Sequence, residues 1–238
     1  MASDSRPGAK GLRPIRSYVL RQGRLTTAQK QALSEGWPRY GIDPSVRLDP
    51  NAVFGSAASL ILEIGFGNGE ALAALAQAEP DKNFIGVEVH QPGVGHLLRL
   101  LDADSIHNVR VVAVDAVEWL QARVPDASLN GVRIWFPDPW PKKRHHKRRL
   151  VQPDFVELLA RKMAGGGVLH LATDWVPYAE HMLAVLSEHS GFTNLSPTGD
   201  FCARPAWRPM TRFERRGTRL GHETRDLLFE RSPGQHPS

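Results

Sequence analysis

LILEIGFGNGE, Leu60 to Glu70, decides how the chain is read. Five residues, apolar except for Glu63, run into glycines at alternate positions, Gly65, Gly67 and Gly69. A run that is apolar on both faces suits a strand buried in a parallel sheet. The glycines let the backbone turn sharply and come close to a ligand. ALAALAQA follows and reads as a helix. Strand, glycine turn and helix together make one unit of an α/β fold.

The pattern repeats outward from there. NFIGVEV (83–89), VRVVAVD (109–115), GVRIWF (131–136) and GVLHLATD (167–174) read as strands. HLLRLLDA, AVEWLQARV, FVELLARKM and YAEHMLAVLSEH read as the helices between and after them, and TRDLLFER as a last strand. This alternation predicts a Rossmann-like α/β domain with a mostly parallel sheet flanked by helices. With 238 residues, 41% of them hydrophobic, the chain suits one large core. We place the α/β domain at 51–238 and a basic, partly disordered arm at 1–50. Met1 to Lys30 hold seven Lys or Arg and one acid. Within the arm, Thr27 is expected to cap a short helix starting near Ala28.

Composition narrows the function. A net charge of +5 and a pI near 9.6 suit an acidic partner. The single cysteine, Cys202, excludes an internal disulfide, and the histidines lack metal-ligand spacing, so no metal is expected. No apolar run reaches membrane-span length, and the basic N-terminus has no apolar signal core. A cytoplasmic protein is expected, a monomer before a homodimer.

The glycine loop differs from the dinucleotide fingerprint GxGxxG. Glu70 stands at the third position and would repel a pyrophosphate at the helix mouth. The loop therefore suits a nucleoside cofactor without phosphates. Glu88 ends the second strand, where ribose hydroxyls are bound in such folds, and Asp115 ends the third. Glu63, Glu88 and Asp115 together favour S-adenosyl-L-methionine over NAD, which makes the fold a class I S-adenosylmethionine-dependent methyltransferase. An NAD-dependent oxidoreductase is one rival, and a non-catalytic RNA-binding protein is another.

FPDPWPKKRHHKRR, 136–149, sets Asp138 between prolines just before Lys142–Arg149, which hold six Lys or Arg and two His. The prolines stiffen the turn around the acid. The basic run can grip phosphates, with Arg144, His145, His146, Lys147, Arg148 and Arg149 as RNA contacts. Trp140 is open to two readings, a base platform or core. Asp174 ends the fifth strand, where it could also cap the next helix. His222 has no visible partner in the sequence.

GFGNGE, GVEVH, FPDPWPKKRHHKRR, ATDW and TRFERRGTRLGH occur in this order, and the chain from about Arg16 to Arg231 resembles the bacterial tRNA (guanine-N7-)-methyltransferases. The resemblance implies methyl transfer to N7 of guanine at position 46, in the variable loop of tRNA. It puts Asp138 in the active site, there counted both as catalytic and as a cofactor contact beside Glu63, Gly65, Gly67, Gly69, Glu88 and Asp115. It puts Lys142, Asp174 and Thr211-Arg212-Phe213-Glu214 at the substrate. The family has Lys where Arg212 stands, which keeps the charge and changes the contact geometry. Gln22, Gly23 and Arg24 resemble a further family element, and the arm is expected to touch RNA.

Overall fold

The structure is a computed structural model and describes residues 24–234. The reading of the chain before Arg24 lies outside the described residues. The first elements are α1 (Thr27–Tyr40), α2 (Pro50–Phe54), β1 (Leu60–Ile64), α3 (Glu70–Ala78), β2 (Asn83–Val87), α4 (Gln91–Ala103), β3 (Val109–Val112) and α5 (Ala116–Arg123). Then come β4 (Leu129–Trp135), a 3-10 helix (Lys143–Arg148), α6 (Pro153–Lys162), β5 (Met163–Thr173), α7 (Val176–Ser187), β6 (Phe192–Asn194), α8 (Arg212–Arg219) and β7 (Arg225–Arg231).

The seven strands form one sheet in the order β3-β2-β1-β4-β5-β7-β6. The first five are parallel, and β7 runs antiparallel to both β5 and β6. Strand order turns back between β1 and β4, so a crevice opens beyond their C-terminal ends. Each face of the sheet carries its own core. Leu60, Leu62 and Ile64 point into one, with Leu120 from α5, Phe155 from α6 and Met182 from α7. Ile61 points into the other, with Leu72 of α3 and Leu97 of α4. Strand alternation therefore turns Glu63 toward the α3 and α4 side.

The predicted strands and helices are found with shifted ends. The sequence reading lacked β6, which has three residues, and α8, whose RFERRGTR has only one apolar side chain. The cap of α1 is Thr26 and not Thr27. Thr26 Oγ1 accepts from Gln29 N at 3.2 Å, and Gln29 Oε1 accepts from Thr26 N at 3.0 Å. This reciprocal pair needs a Gln three residues on, which Thr27 does not have.

Residues 27–48, read as arm, pack on the domain. Tyr40 is buried beside Leu98 of α4, and Gln29 Nε2 donates to the Pro92 carbonyl at 2.9 Å. Ile42 N donates to the Val111 carbonyl at 2.9 Å, so this segment covers the β3 edge. No described helix is long and apolar enough to cross a membrane.

The start of α4 lies tightly under the glycine loop. A Cβ on Gly93 would sit 1.9 Å from the Gly67 carbonyl oxygen. That neighbour is backbone and cannot swing aside. Gly93→Ala is therefore expected to destabilise the fold by about 2 kcal/mol, as overpacking does. Urea unfolding checks this, and an unchanged midpoint would contradict the packing described.

Candidate active site

The glycine loop is shaped by its backbone. Gly65, Gly67 and Gly69 have φ of 74°, 62° and 78°, the left-handed region that costs other residues energy. A Cβ on Gly65 or Gly67 would meet nothing within 4 Å, so the loop opens onto the crevice there. Glu88 fastens this loop to the end of β2. Its Oε2 accepts from Gly67 N at 3.0 Å, and its Oε1 from Val89 N and His90 N at 2.8 and 2.9 Å. Three backbone donors thus fix the carboxylate.

The crevice has two lobes that share Gly65, Trp135 and Phe136. The smaller, about 370 Å³, has apolar walls from residues such as Val89, Val114 and Ile134, with Glu88, Asp115 and Asp138 on its rim. Asp115 caps α5 through Oδ1, which accepts from Val117 N at 2.8 Å and Glu118 N at 3.1 Å. Its other oxygen is left for the lobe. Among the described residues no Lys or Arg lines this lobe. Flat apolar walls with carboxylates at the rim fit a nucleoside and offer nothing to a pyrophosphate.

The larger lobe, about 700 Å³, is lined by Glu63, Glu70, Arg215 and Arg216, and Arg215 Nη2 lies 3.9 Å from Glu70 Oε2. Glu63 is buried, and its Oε2 has no hydrogen-bond partner among the described residues. Burial pushes its carboxyl up to about 7, against the pull of Arg133 on the neighbouring strand. An orphaned buried carboxyl in a lobe that two arginines also line suits the zwitterionic end of an amino acid. The two lobes together therefore fit S-adenosyl-L-methionine, an adenosine joined to an amino acid. The same acid set was legible in the sequence.

The turn after β4 is strained as well as rich in proline. Phe136 and Trp140 have φ of 53° and 43°, and such backbone costs on the order of 1 kcal/mol per residue. Asp138 lies exposed between them at the rim of the smaller lobe. Arg149 holds the turn in place. It was read as a phosphate contact, but it is 4% exposed and points inward. Its Nε donates to the Pro139 carbonyl at 3.0 Å, Nη2 to His146 Nε2 at 3.2 Å, and its guanidinium lies over the Tyr178 ring. The 3-10 helix turns its other cations outward, and Lys142, Lys143, Arg144, Lys147 and Arg148 are exposed. His145 and His146 are half-buried. Burial and then the surrounding cations lower the His145 pKa. Trp140 is half-buried and carries Arg148 over its ring at 4.8 Å, with the His145 ring edge-on at 5.7 Å.

The C-terminal segment closes the other side of the crevice. Thr211 caps α8 and lines the larger lobe. Phe213 is 56% exposed, with its ring centroid 5.2 Å from that of Phe136. Arg212 is the first residue of α8. Glu214, read as a substrate contact, is buried: both its oxygens accept from Arg208 at 2.7 Å, and it completes the cap with Thr211. It serves the wall from behind. Asp174 is half-buried and does not cap α7, whose first turn follows Trp175. Instead Asp174 Oδ2 lies 3.2 Å from Nδ1 of His222, the partner that the sequence did not show. Arg208 and Met210 escaped the sequence reading because no strand or glycine motif marks them, while Arg215 and Arg216, within TRFERRGTRLGH, suited a charged surface loop and instead line the larger lobe.

With this geometry in place, the chain matches a family model described as "Putative methyltransferase" over residues 57–227. It is 53% identical over 223 residues to a tRNA (guanine-N(7)-)-methyltransferase of Alcanivorax borkumensis, covering 93% of each chain. It is 54% identical over 230 residues to one of Methylococcus capsulatus, covering 97% of this chain and all of that one. Its fold is similar to that of the solved 16S rRNA methyltransferase KamB, with TM-score 0.55 and 13% identity, over 89% of this chain and 96% of that one.

The buried Glu63 has a measurable signature. Its folded pKa, about 7, lies above its ordinary 4.5, so the folded chain holds this proton more tightly than the unfolded chain. Stability should then fall as pH rises from about 4.5 through 7, by up to about 3 kcal/mol. Glu63→Gln should remove that loss. The ligand-free variant is expected to be the more stable protein at pH 8 and equal to wild type at pH 4, while binding S-adenosyl-L-methionine less tightly. Urea midpoints at both pH values decide, and parallel pH curves for the two proteins would refute it.

Proposed function

The chain belongs to the tRNA (guanine-N(7)-)-methyltransferase family, and we propose that it methylates N7 of the variable-loop guanosine at position 46 of tRNA. The enzyme is an S-adenosyl-L-methionine-dependent methyltransferase, with guanine N7 of tRNA as its target. One observation carries the local assignment. Asp138 stands at the rim of the nucleoside lobe, and the exposed cations begin four residues later, at Lys142 just before the 3-10 helix.

Bound S-adenosyl-L-methionine supplies an electrophilic methyl group on a sulfonium. Glu88 and Asp115 would hold its ribose, the apolar walls its adenine, and Glu63 its ammonium group. Guanine N7 has a lone pair and no proton, so no side chain needs to act as a base. Methylation at N7 would place positive charge on the guanine. Asp138 orients the guanine edge and stabilises that charge. Its stiff turn matters because positioning of this kind acts only when the group is already in place. Lys142, Lys143, Arg144 and Lys147 hold backbone phosphates and offset the cost of extruding the base, a few kcal/mol. Asp174, Thr211 and Phe213 contact the substrate from the opposite wall.

The protein is read as a cytoplasmic monomer. The covered β3 edge and the three-residue β6 at the opposite edge support the monomer, since neither offers a long strand for pairing.

Labelled methyl transfer to an unmodified tRNA transcript tests the reaction, with a second transcript carrying adenosine at the variable-loop position. Label appearing as 7-methylguanosine in the first only is expected, and label in both would discard the position. Asp138→Ala should lower kcat about 10²- to 10³-fold and leave S-adenosylhomocysteine binding near normal; a comparable loss of that binding would contradict the role. Replacing Lys143, Arg144 and Lys147 by Ala should reduce the slope of log affinity against log salt by about 2 to 3. An unchanged slope would remove these cations from the interface.

A further inference from the structure

Beneath the crevice floor runs a buried chain of polar groups that the reaction itself does not use. Trp135 Nε1, at the end of β4, donates to His170 Nδ1 on β5 at 3.0 Å. His170 Nε2 lies 2.8 Å from Asp226 Oδ1 on β7. Asp226 Oδ2 accepts from Arg208 Nη2 at 3.0 Å, and Arg208 Nε is 2.7 Å from Oδ1 as an ion pair, off the line of a hydrogen bond. Arg208 then donates from Nη1 and Nη2 to the two oxygens of Glu214, each at 2.7 Å. The side chains of His170, Arg208 and Asp226 are at most 1% exposed, and that of Glu214 is 5%.

The chemistry of the chain is determinate. An indole N–H can only donate, so His170 Nδ1 must accept. The imidazole is then neutral and carries its proton on Nε2, which donates to Asp226. Burial lowers the His170 pKa, in agreement. Burial also works against the charge on Arg208, but the Glu214 and Asp226 carboxylates outweigh it. One guanidinium thus serves two carboxylates, and the cluster carries a net negative charge away from water. Apolar packing would stabilise a fold as well as such a cluster does, so stability alone does not account for it.

What the cluster connects does account for it. Trp135 lines both lobes of the crevice, and Thr211, whose N–H donates to Glu214 Oε2 at 3.4 Å and whose Oγ1 accepts from Glu214 N at 3.1 Å, lines the opposite wall. We infer that Arg208 is a positioning residue: it locks the Pro209–Glu214 wall, through Glu214, to a floor fixed by Trp135, His170 and Asp226, and so sets the width of the substrate side of the crevice. The inference rests on the proposed methyl transfer for its kinetic consequence and on geometry alone for its structural one. Lys at position 208 would keep the charge and lose the two-pronged grip on Glu214.

The test uses the full chain with Arg208→Lys, Glu214→Gln and the double variant. The first readout does not depend on the reaction. Tryptic cleavage within residues 212–219 of the folded protein should speed up at least about tenfold in each variant, and an unchanged rate would overturn the inference. Second, 5′-methylthioadenosine probes the nucleoside lobe alone. Its affinity should stay within about twofold of wild type, and a large loss would make Arg208 part of the general fold.

Third, kcat on the tRNA transcript should fall about thirtyfold in Arg208→Lys, with KM for tRNA changing less than about fivefold. The double variant should be no slower than Arg208→Lys, since both changes break one link. Multiplying effects, or a lowered melting temperature with unchanged turnover per folded molecule, would overturn the inference. Wild-type turnover in the same assay tests the tRNA reaction separately, because the cleavage and nucleoside readouts judge Arg208 without it.

Discussion

The reversal of strand order between β1 and β4 governs this molecule. Parallel strands deliver all their C-terminal ends to one edge, and helical crossovers cover both faces. Where the order turns back, neighbouring crossovers lead away from each other and the crevice stays open. Glu63 of β1, Glu88 after β2, Asp115 after β3 and Asp138 after β4 reach that opening only because their strands are parallel and in register. The same four acids on an antiparallel sheet would be divided between two edges.

Buried charge is handled in two opposite ways on either side of this opening. Glu63 Oε2 has no hydrogen-bond partner among the described residues, and burial pushes its carboxyl up to about 7. That arrangement is costly in the ligand-free protein and suits a site whose partner arrives with a ligand. Arg208, Glu214, Asp226 and His170 instead satisfy one another inside the protein. The first is a binding surface held ready, and the second is a frame that keeps the wall from moving. Between them, Trp135 belongs to both, donating to the frame from behind while lining the crevice.

The turn after β4 joins cofactor side and RNA side over a few residues. Prolines and two left-handed residues set its path, and buried Arg149 pins it against Pro139 and Tyr178. The run of six cations therefore divides its labour. One cation is spent on structure, and Arg148 lies over Trp140. The rest face solvent, where phosphate can reach them.

The sequence by itself determined the strand–helix alternation, the glycine loop and the acids at strand ends. Those features follow from local chemistry: side-chain periodicity, the left-handed backbone that glycine permits, and the short distance along the chain from strand to loop. It could not separate Arg149 from its cationic neighbours, or Glu214 from the substrate residues around it, because charge type is the same for a buried anchor and an exposed contact. Nor could it pair His222 with Asp174, 48 residues away, or join Trp135, His170, Arg208 and Asp226. Those partnerships form only where the folded sheet brings distant segments side by side. There the low dielectric of the interior decides which polar groups must find one another, and tertiary structure alone assigns their roles.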